Sequence, residues 1–266
     1  MVFIPAGIVT LLVFRWTGAN EVLELVLNDP ASLQNLPPDV LIETAGPFIN
    51  AAAIALLIQV VASVFVFLIS HRVVAADISG HPIDGPQARK FAFAKIVPTF
   101  ITVALAAIPT TAAFIVGMSV WSGLAAAVGA PSATSAIVGL LLLAVFMGPG
   151  LWLVVSFSMV TAVGGLESAG ILGSLSRSHR LVKGRRMATL SFLLIVGLLG
   201  FVAIELIQLV AIPLASIGTA GPGISVASMI GIAAQGMIVA AIGVTVTTWY
   251  LDLRSRSEVL LSEDLS

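Results

Sequence analysis

Long uncharged apolar runs, separated by short segments that hold nearly all the basic residues, dominate the chain. Runs beyond about 18 apolar residues predict membrane-crossing helices. They are too long, and alternate too little between polar and apolar, for the strands of an outer-membrane barrel. The pattern predicts an all-α fold: one domain over 1–266, a polytopic integral membrane helix bundle of about six transmembrane helices with amphipathic cytoplasmic linker helices. The spans fall at about 2–15, 48–70, 97–126, 135–163, 187–214 and 225–251.

Val2–Phe14 is apolar but short and ends at Arg15-Trp16, an interfacial anchor. A first span, the tail of a longer span and a signal-peptide core cut near Thr17-Gly18-Ala19 all fit it; the lack of a basic n-region favours a span. Thr17–Phe48 carries Glu21, Glu24, Asp29, Asp39 and Glu43 without Lys or Arg and is interrupted by Pro30, Pro37 and Pro38, as an outer loop would be. Asn50–Ile69 is the second span and ends at His71-Arg72. In Val73–Lys95, Asp84 is placed to cap a short helix with Pro86 in its first turn. Arg89, Lys90 and Lys95 mix there with Phe91, Phe93 and Ile96, which suits a helix lying in the inner interface.

Ile96–Leu166 contains no Asp, Glu, Lys or Arg over 71 residues. That is too long for one crossing at about 1.5 Å per residue through a core of about 30 Å. Basic flanks on both sides require an even number of crossings, and two fit, with a turn near Gly129-Ala130-Pro131-Ser132. Pro109 is expected to kink the third span, and Met147-Gly148-Pro149-Gly150 to break or kink the fourth. A break in lipid leaves backbone groups in need of partners.

Leu166–Arg186 holds five of the twelve Lys and Arg residues. At about 100° per residue, Ile171, Leu172, Leu175, His179 and Val182 share one helix face, with Arg177 and Arg180 opposite and facing water or headgroups. This is the pattern of a helix lying on a membrane surface or capping a bundle. His179 has no His or carboxylate at ligand spacing and reads as a packing or interfacial residue. Met187–Leu251 carries one charge, Glu205, and fits two spans turning at Ser216–Gly223. Ala227/Gly231 and Gly236/Ala240 have the spacing that lets helices approach closely. Trp249-Tyr250 mark the inner interface, and Asp252–Arg256 and Arg254–Glu258 form i,i+4 pairs in the tail.

Charge then orients the chain. Eleven of the twelve basic residues fall on one side, which the positive-inside rule makes cytoplasmic. Both termini, Lys183 and Ser257 are expected inside a prokaryotic cytoplasmic membrane, with Asn35 and Gly221 outside. The composition, 59% hydrophobic and 9% charged, leaves no room in 266 residues for a separate soluble catalytic domain. A net charge of −1 gives no support to a nucleic-acid partner, and the absence of Cys excludes disulfides and thiolate chemistry.

Two groups of residues are candidates for function. Arg89, Lys90, Lys95, Arg177, Arg180, Lys183, Arg185 and Arg186 could contact the anionic lipids of the inner leaflet, a protein partner or a second copy of the chain. Gln59, Glu205, Gln208 and Gln235 are the intramembrane polar candidates and carry the alternative, a small-solute or ion transporter or channel. Glu205 lies nineteen residues beyond Arg186, or about 28 Å along a helix, which puts it near the outer interface. No HExxH, phosphate loop, GxSxG or carboxylate cluster is present, so the expectation is a non-enzymatic lipid- or partner-binding membrane module or scaffold without metal or cofactor.

Three stretches carry a family resemblance: GPGLWLVVSFSMV, GLESAGILGSLSRSHRLVKGRR running directly into a span, and the terminal YLDLRSRSE. Together they resemble the glycerophosphoryl diester phosphodiesterase membrane-domain family and related six-span membrane proteins of bacteria and archaea. The middle stretch is similar to that family's acidic residue followed by a basic helix ending Ser-x-x-Leu-Val-x-Gly, here Ser178 to Gly184. The likeness covers about Leu141 to Glu258. It implies a membrane module sometimes fused to a phosphodiesterase. The metal-binding His, Glu and Asp of that enzyme belong to a separate soluble barrel, so the resemblance implies topology and not activity.

Overall fold

The computed structural model describes residues 3–17, 38–128, 133–216 and 226–263. Every regular element among them is an α-helix: α1 (Phe3–Trp16), α2 (Pro38–Ile78), α3 (Gly85–Val128), α4 (Ala133–Phe157), α5 (Val160–Leu166), α6 (Gly170–Val182), α7 (Arg186–Ser216) and α8 (Val226–Glu263). Five stretches among the described residues are long and apolar enough to cross a membrane: Ile49–Ile78, Gly85–Gly123, Val145–Leu166, Arg186–Ile207 and Ala233–Ser257. At 14 residues, α1 is shorter than these. The expected turns at Gly129–Ser132 and Ser216–Gly223 lie wholly or mostly outside the described residues, as do Glu21, Glu24, Asp29, Asn35 and Gly221.

Several boundaries differ from the sequence expectation. The second helix begins at Pro38, so Asp39, Glu43 and Pro47 are helical rather than part of a loop. It also runs through His71-Arg72 to Ile78. Asp84 does cap the next helix, its Oδ1 accepting from Gln87 N–H at 2.8 Å. Arg89 to Lys95 are then the opening turns of one continuous 44-residue helix, not a separate linker helix. Nothing stops that helix: Pro98 and Pro109 both lie inside it.

The Gly148-Pro149-Gly150 stretch does not end α4 either; the helix continues to Phe157. Its glycine serves packing instead. A Cβ on Gly150 would lie 3.0 Å from the Phe114 ring of α3, so the missing side chain makes room for that ring. The interruption falls at Ser158-Met159, where Ser158 N–H and Oγ both turn back to the Val155 carbonyl. Past α6, Gly184 adopts φ +83°, a left-handed conformation that favours glycine, and the chain turns there into α7.

Packing divides the chain into two compact units. The first comprises Met1–Val66 and Leu199–Ala241. Ala51, Ala62, Val64, Phe65 and Ala234 are its buried apolar positions among the described residues, all but Phe65 small or branched. Large apolar side chains such as Leu12, Leu56, Leu57 and Leu206 are exposed, as lipid-facing helices require.

The second unit comprises Phe67–Leu198 and Ile242–Ser266. Here α3 packs on α4, α5 and α6, and α6 also packs on α4 and α5. Its core is Met159, Ala162, Val163, Leu181, Val182, Val246, Tyr250 and Leu253. A close helix approach involving α8 is not at Gly231, where an added Cβ would meet nothing within 4 Å. It is at Gly243, whose Cβ would lie 2.8 Å from Phe67 and 3.0 Å from Ser70 of α2.

Candidate functional site

The polar chemistry of the second unit gathers around the short helix α5. Breaking a helix at Ser158-Met159 frees backbone groups, and lipid offers no water to pair them. Ser178 of α6 supplies both halves of the repair. Its Oγ accepts from Met159 N–H at 3.2 Å and donates to the Ser156 carbonyl at 2.9 Å. A small hydroxyl side chain is needed, because Ser178 is fully buried between the two helices.

On one side of α5 lies His71, fully buried in α2. Its Nδ1 is 2.6 Å from Thr247 Oγ1 and its Nε2 is 3.2 Å from Thr161 Oγ1. Thr247 already donates its hydroxyl hydrogen to the Gly243 carbonyl at 2.6 Å. Toward His71 it is therefore an acceptor, which places a ring proton on Nδ1 and leaves Nε2 of the neutral ring to accept from Thr161. The imidazole thus ties α2, α5 and α8 together, with Phe67 stacked on it at 6.1 Å between ring centroids.

At the end of α5, Glu167 makes a second tie. Its Oε1 accepts from Tyr250 OH at 2.7 Å, and Arg177 Nε lies 3.4 and 3.3 Å from its two oxygens. Tyr250 is fully buried, so the pair marked as an interfacial belt has one member in the core. Trp249 stacks on Phe192 at 4.7 Å and 9°. Both ties consume their donors and acceptors internally. This is the arrangement of a clamp between helices.

The buried face of α6 overlaps, at Val182, the apolar face that periodicity selects, the one expected to turn to the bilayer or the bundle. Ser174, Ser178, Leu181 and Val182 are buried, while Leu172 is 74% exposed and Ile171 and Leu175 are half-buried. Arg177, expected in water or among headgroups, is instead drawn toward Glu167, with side-chain exposures of 21% and 17%. The ion pair with a partly buried carboxylate outweighs the position that apolar periodicity assigns to it. Arg180 is exposed as expected.

The remaining basic candidates fall into two kinds. Arg89, Lys90, Lys183 and Arg185 are exposed, and Lys95 is half-buried. Arg186 is half-buried at the start of α7, its guanidinium 5.1 Å from the Trp152 ring centroid and its Nη2 3.4 Å from His179 Nε2. His179 meets the Trp152 ring edge-on at 5.5 Å, so it packs as expected. Among the intramembrane polar candidates, Glu205 is exposed and Gln59 and Gln235 are half-buried. The side chain of Gln208 lies outside the described residues. A cleft of about 400 Å³ in the first unit is lined by Trp16, Thr17, Gly46, Pro47 and Asn50, not by Gln59, Glu205 or Gln235.

Periodicity does not single out His71, Thr161, Thr247 or the Glu167–Tyr250 bond. The one signal, for His71 and Glu167, is a polar residue at the end of an apolar run, which also describes an ordinary interfacial residue; Thr161 and Thr247 lie inside such runs. No protein-family model, curated protein or solved structure matches the chain. The fold itself defines the class: an all-α protein with several helices long and apolar enough to span a membrane.

Proposed function

We propose that the chain is a non-enzymatic integral protein of a prokaryotic cytoplasmic membrane, crossing it six times with both termini inside. Its cytoplasmic basic surface serves as a binding module for anionic lipids or for a protein partner. One observation carries this reading: the polar groups around α5 and the exposed basic residues differ in what they meet. Around α5, His71, Ser178 and Glu167 are held by partners within the protein. Lys90, Arg180, Lys183 and Arg185 stand exposed without a carboxylate partner among the described residues. Each such residue near an anionic leaflet contributes roughly 1 kcal/mol of attraction. The kinship with glycerophosphodiesterase membrane domains is part of the proposal. Residues of its motifs do structural work here: Glu167, Ser178 and Tyr250 tie α5 to α6 and α8, and Gly184 makes the turn from α6 into α7.

Orientation has a direct test. In a chain carrying Lys183→Cys, an impermeant thiol reagent should label only after the cells are permeabilised, whereas a Cys replacing Asn35 should label in intact cells. Efficient labelling of position 183 from outside would reverse the topology and remove the basis for inner-leaflet binding. The lipid arm is read by native mass spectrometry after detergent extraction. Phosphatidylglycerol should be retained over phosphatidylcholine, and less so in the triple variant Arg180→Gln, Lys183→Gln, Arg185→Gln.

Glu205 separates this reading from a transporter. It is exposed on α7, and its distance along the chain from Arg186 takes it toward the outer interface. Glu205→Gln should leave folding and lipid retention unchanged. A membrane-permeant carbodiimide should modify Glu205 no more selectively than Glu21 or Glu43. Selective modification, together with loss of solute uptake in Glu205→Gln, would replace the binding module by a transporter.

A further inference from the structure

We propose that Arg186, His179 and Trp152 form a seat for the phosphate group of one anionic lipid, and so give the basic surface a defined headgroup site. The inference rests on the reading that this surface faces the inner leaflet. The three side chains form a closed triangle. The guanidinium lies over Trp152 at 5.1 Å, its Nη2 reaches His179 Nε2 at 3.4 Å, and His179 meets the Trp152 edge at 5.5 Å and 63°. Stacking on an indole fixes the plane of the guanidinium before any ligand arrives.

Charge is the second argument. An arginine is charged throughout the accessible pH range, and a partly buried charge calls for a counter-ion. Arg186 is half-buried, yet it makes no ion pair among the described residues, and its Nε is buried without a hydrogen-bond partner. The acid nearest in sequence to this junction, Glu167, is engaged by Arg177 and Tyr250. Accepting from Arg186 places the His179 proton on Nδ1, which leaves that N–H as a further donor. Lys183 and Arg185, exposed within the adjoining turn, add attraction for an anion. A planar fork flanked by cations suits a tetrahedral oxyanion, whose oxygens it can grip in pairs.

The surroundings favour a lipid over a soluble phosphate. Trp152 belongs to the apolar stretch Val145–Leu166 and is 45% exposed. Leu151, Val154 and Met187, its neighbours or those of Arg186 in sequence, are exposed as well. An indole with an apolar body and a polar neighbour is characteristic of the headgroup boundary. There a phosphate can sit on Arg186 while its acyl chains follow the apolar surface.

The test uses the full chain in phosphatidylcholine nanodiscs, with Trp16, Trp121 and Trp249 changed to Phe so that Trp152 alone fluoresces. Phosphatidylglycerol with brominated acyl chains should quench Trp152 more than brominated phosphatidylcholine at equal mole fraction. Arg186→Gln should remove the excess and weaken the apparent affinity about fivefold, the equivalent of roughly 1 kcal/mol. Arg186→Lys should restore only part of it, because an ammonium lacks the planar fork. Native mass spectrometry of the chain with its natural tryptophans gives the same comparison if the triple Phe background does not fold.

Equal quenching by the two lipids, or an excess that survives Arg186→Gln, would overturn the site. Competition by inorganic phosphate would overturn the lipid assignment in favour of a soluble anion. Phosphatidylglycerol retention that depends on Arg180, Lys183 and Arg185 but not on Arg186 sinks this site and leaves the binding module standing. No retention preference in the parent chain sinks both.

Discussion

Gly117→Ala is expected to be among the most destabilising single-methyl additions in this protein, lowering stability by about 1–3 kcal/mol. A Cβ at Gly117 would lie 2.5 Å from the Phe146 carbonyl oxygen and 2.6 Å from Met147 Cε. The methionine end can swing away; a helix carbonyl cannot, so α3 and α4 must move apart. Two effects compete. Replacing glycine by alanine inside a helix favours the helix by up to about 1 kcal/mol, whereas overpacking against a backbone atom costs about 1–3 kcal/mol. Separation of the helices adds to the second effect. Lipid tails do not push apolar helices together, so close contact is a main source of their cohesion.

The comparison variant lies on the same helix. A Cβ on Gly123 would meet nothing within 4 Å, so Gly123→Ala should be neutral or slightly stabilising. Unfolding of both variants by SDS titration in mixed micelles measures the difference. A Gly117→Ala chain at least as stable as Gly123→Ala would show that α3 and α4 do not meet at Phe146.

Removing the Glu167 carboxylate should have an effect of similar size through a different cause. Glu167→Ala removes the acceptor of a buried tyrosine hydroxyl and the carboxylate that Arg177 pairs with in one step. Arg254 also hydrogen-bonds the Tyr250 hydroxyl but can only donate, so the hydroxyl proton is left without an acceptor, at a cost of about 1–3 kcal/mol. Breaking a fully buried ion pair costs about 3–5 kcal/mol, but exposures of 21% and 17% admit some water here. We expect about 2–3 kcal/mol in total. Glu167→Gln keeps an acceptor for Tyr250 and should lose about half of that. With Tyr250→Phe already in place, Glu167→Ala should cost less than it does alone, the signature of a shared interaction. By contrast, the Asp252–Arg256 pair is 2.8 Å long but lies in the open, at 37% and 53% exposure. Asp252→Ala should change stability by no more than about 0.5 kcal/mol. Equal losses for Glu167→Ala and Asp252→Ala would show that the junction is not a clamp.

Hydropathy summed over about twenty residues needs no knowledge of neighbours. For that reason the sequence alone determined the all-α class and most of the long helices. Local chemistry was legible too: the Asp84 cap is a contact between residues three apart, and the Asp252–Arg256 pair is one turn long. What it could not determine are contacts made across the fold. The helix break sits at Ser158-Met159 and not at Gly148-Pro149-Gly150 because Ser178, about twenty residues further on, pairs the exposed backbone there. Gly150 is a packing position because Phe114 lies opposite it. His71 is a core residue because Thr247 and Thr161 arrive from two other helices. The inward face of α6 follows the same logic: Ser174 and Ser178 are buried while Leu172 is exposed. In water, polarity sorts inside from outside. In lipid the surrounding medium is as apolar as a leucine, so small size and a matched hydrogen bond decide what is buried, and both depend on the partner that only the tertiary structure supplies.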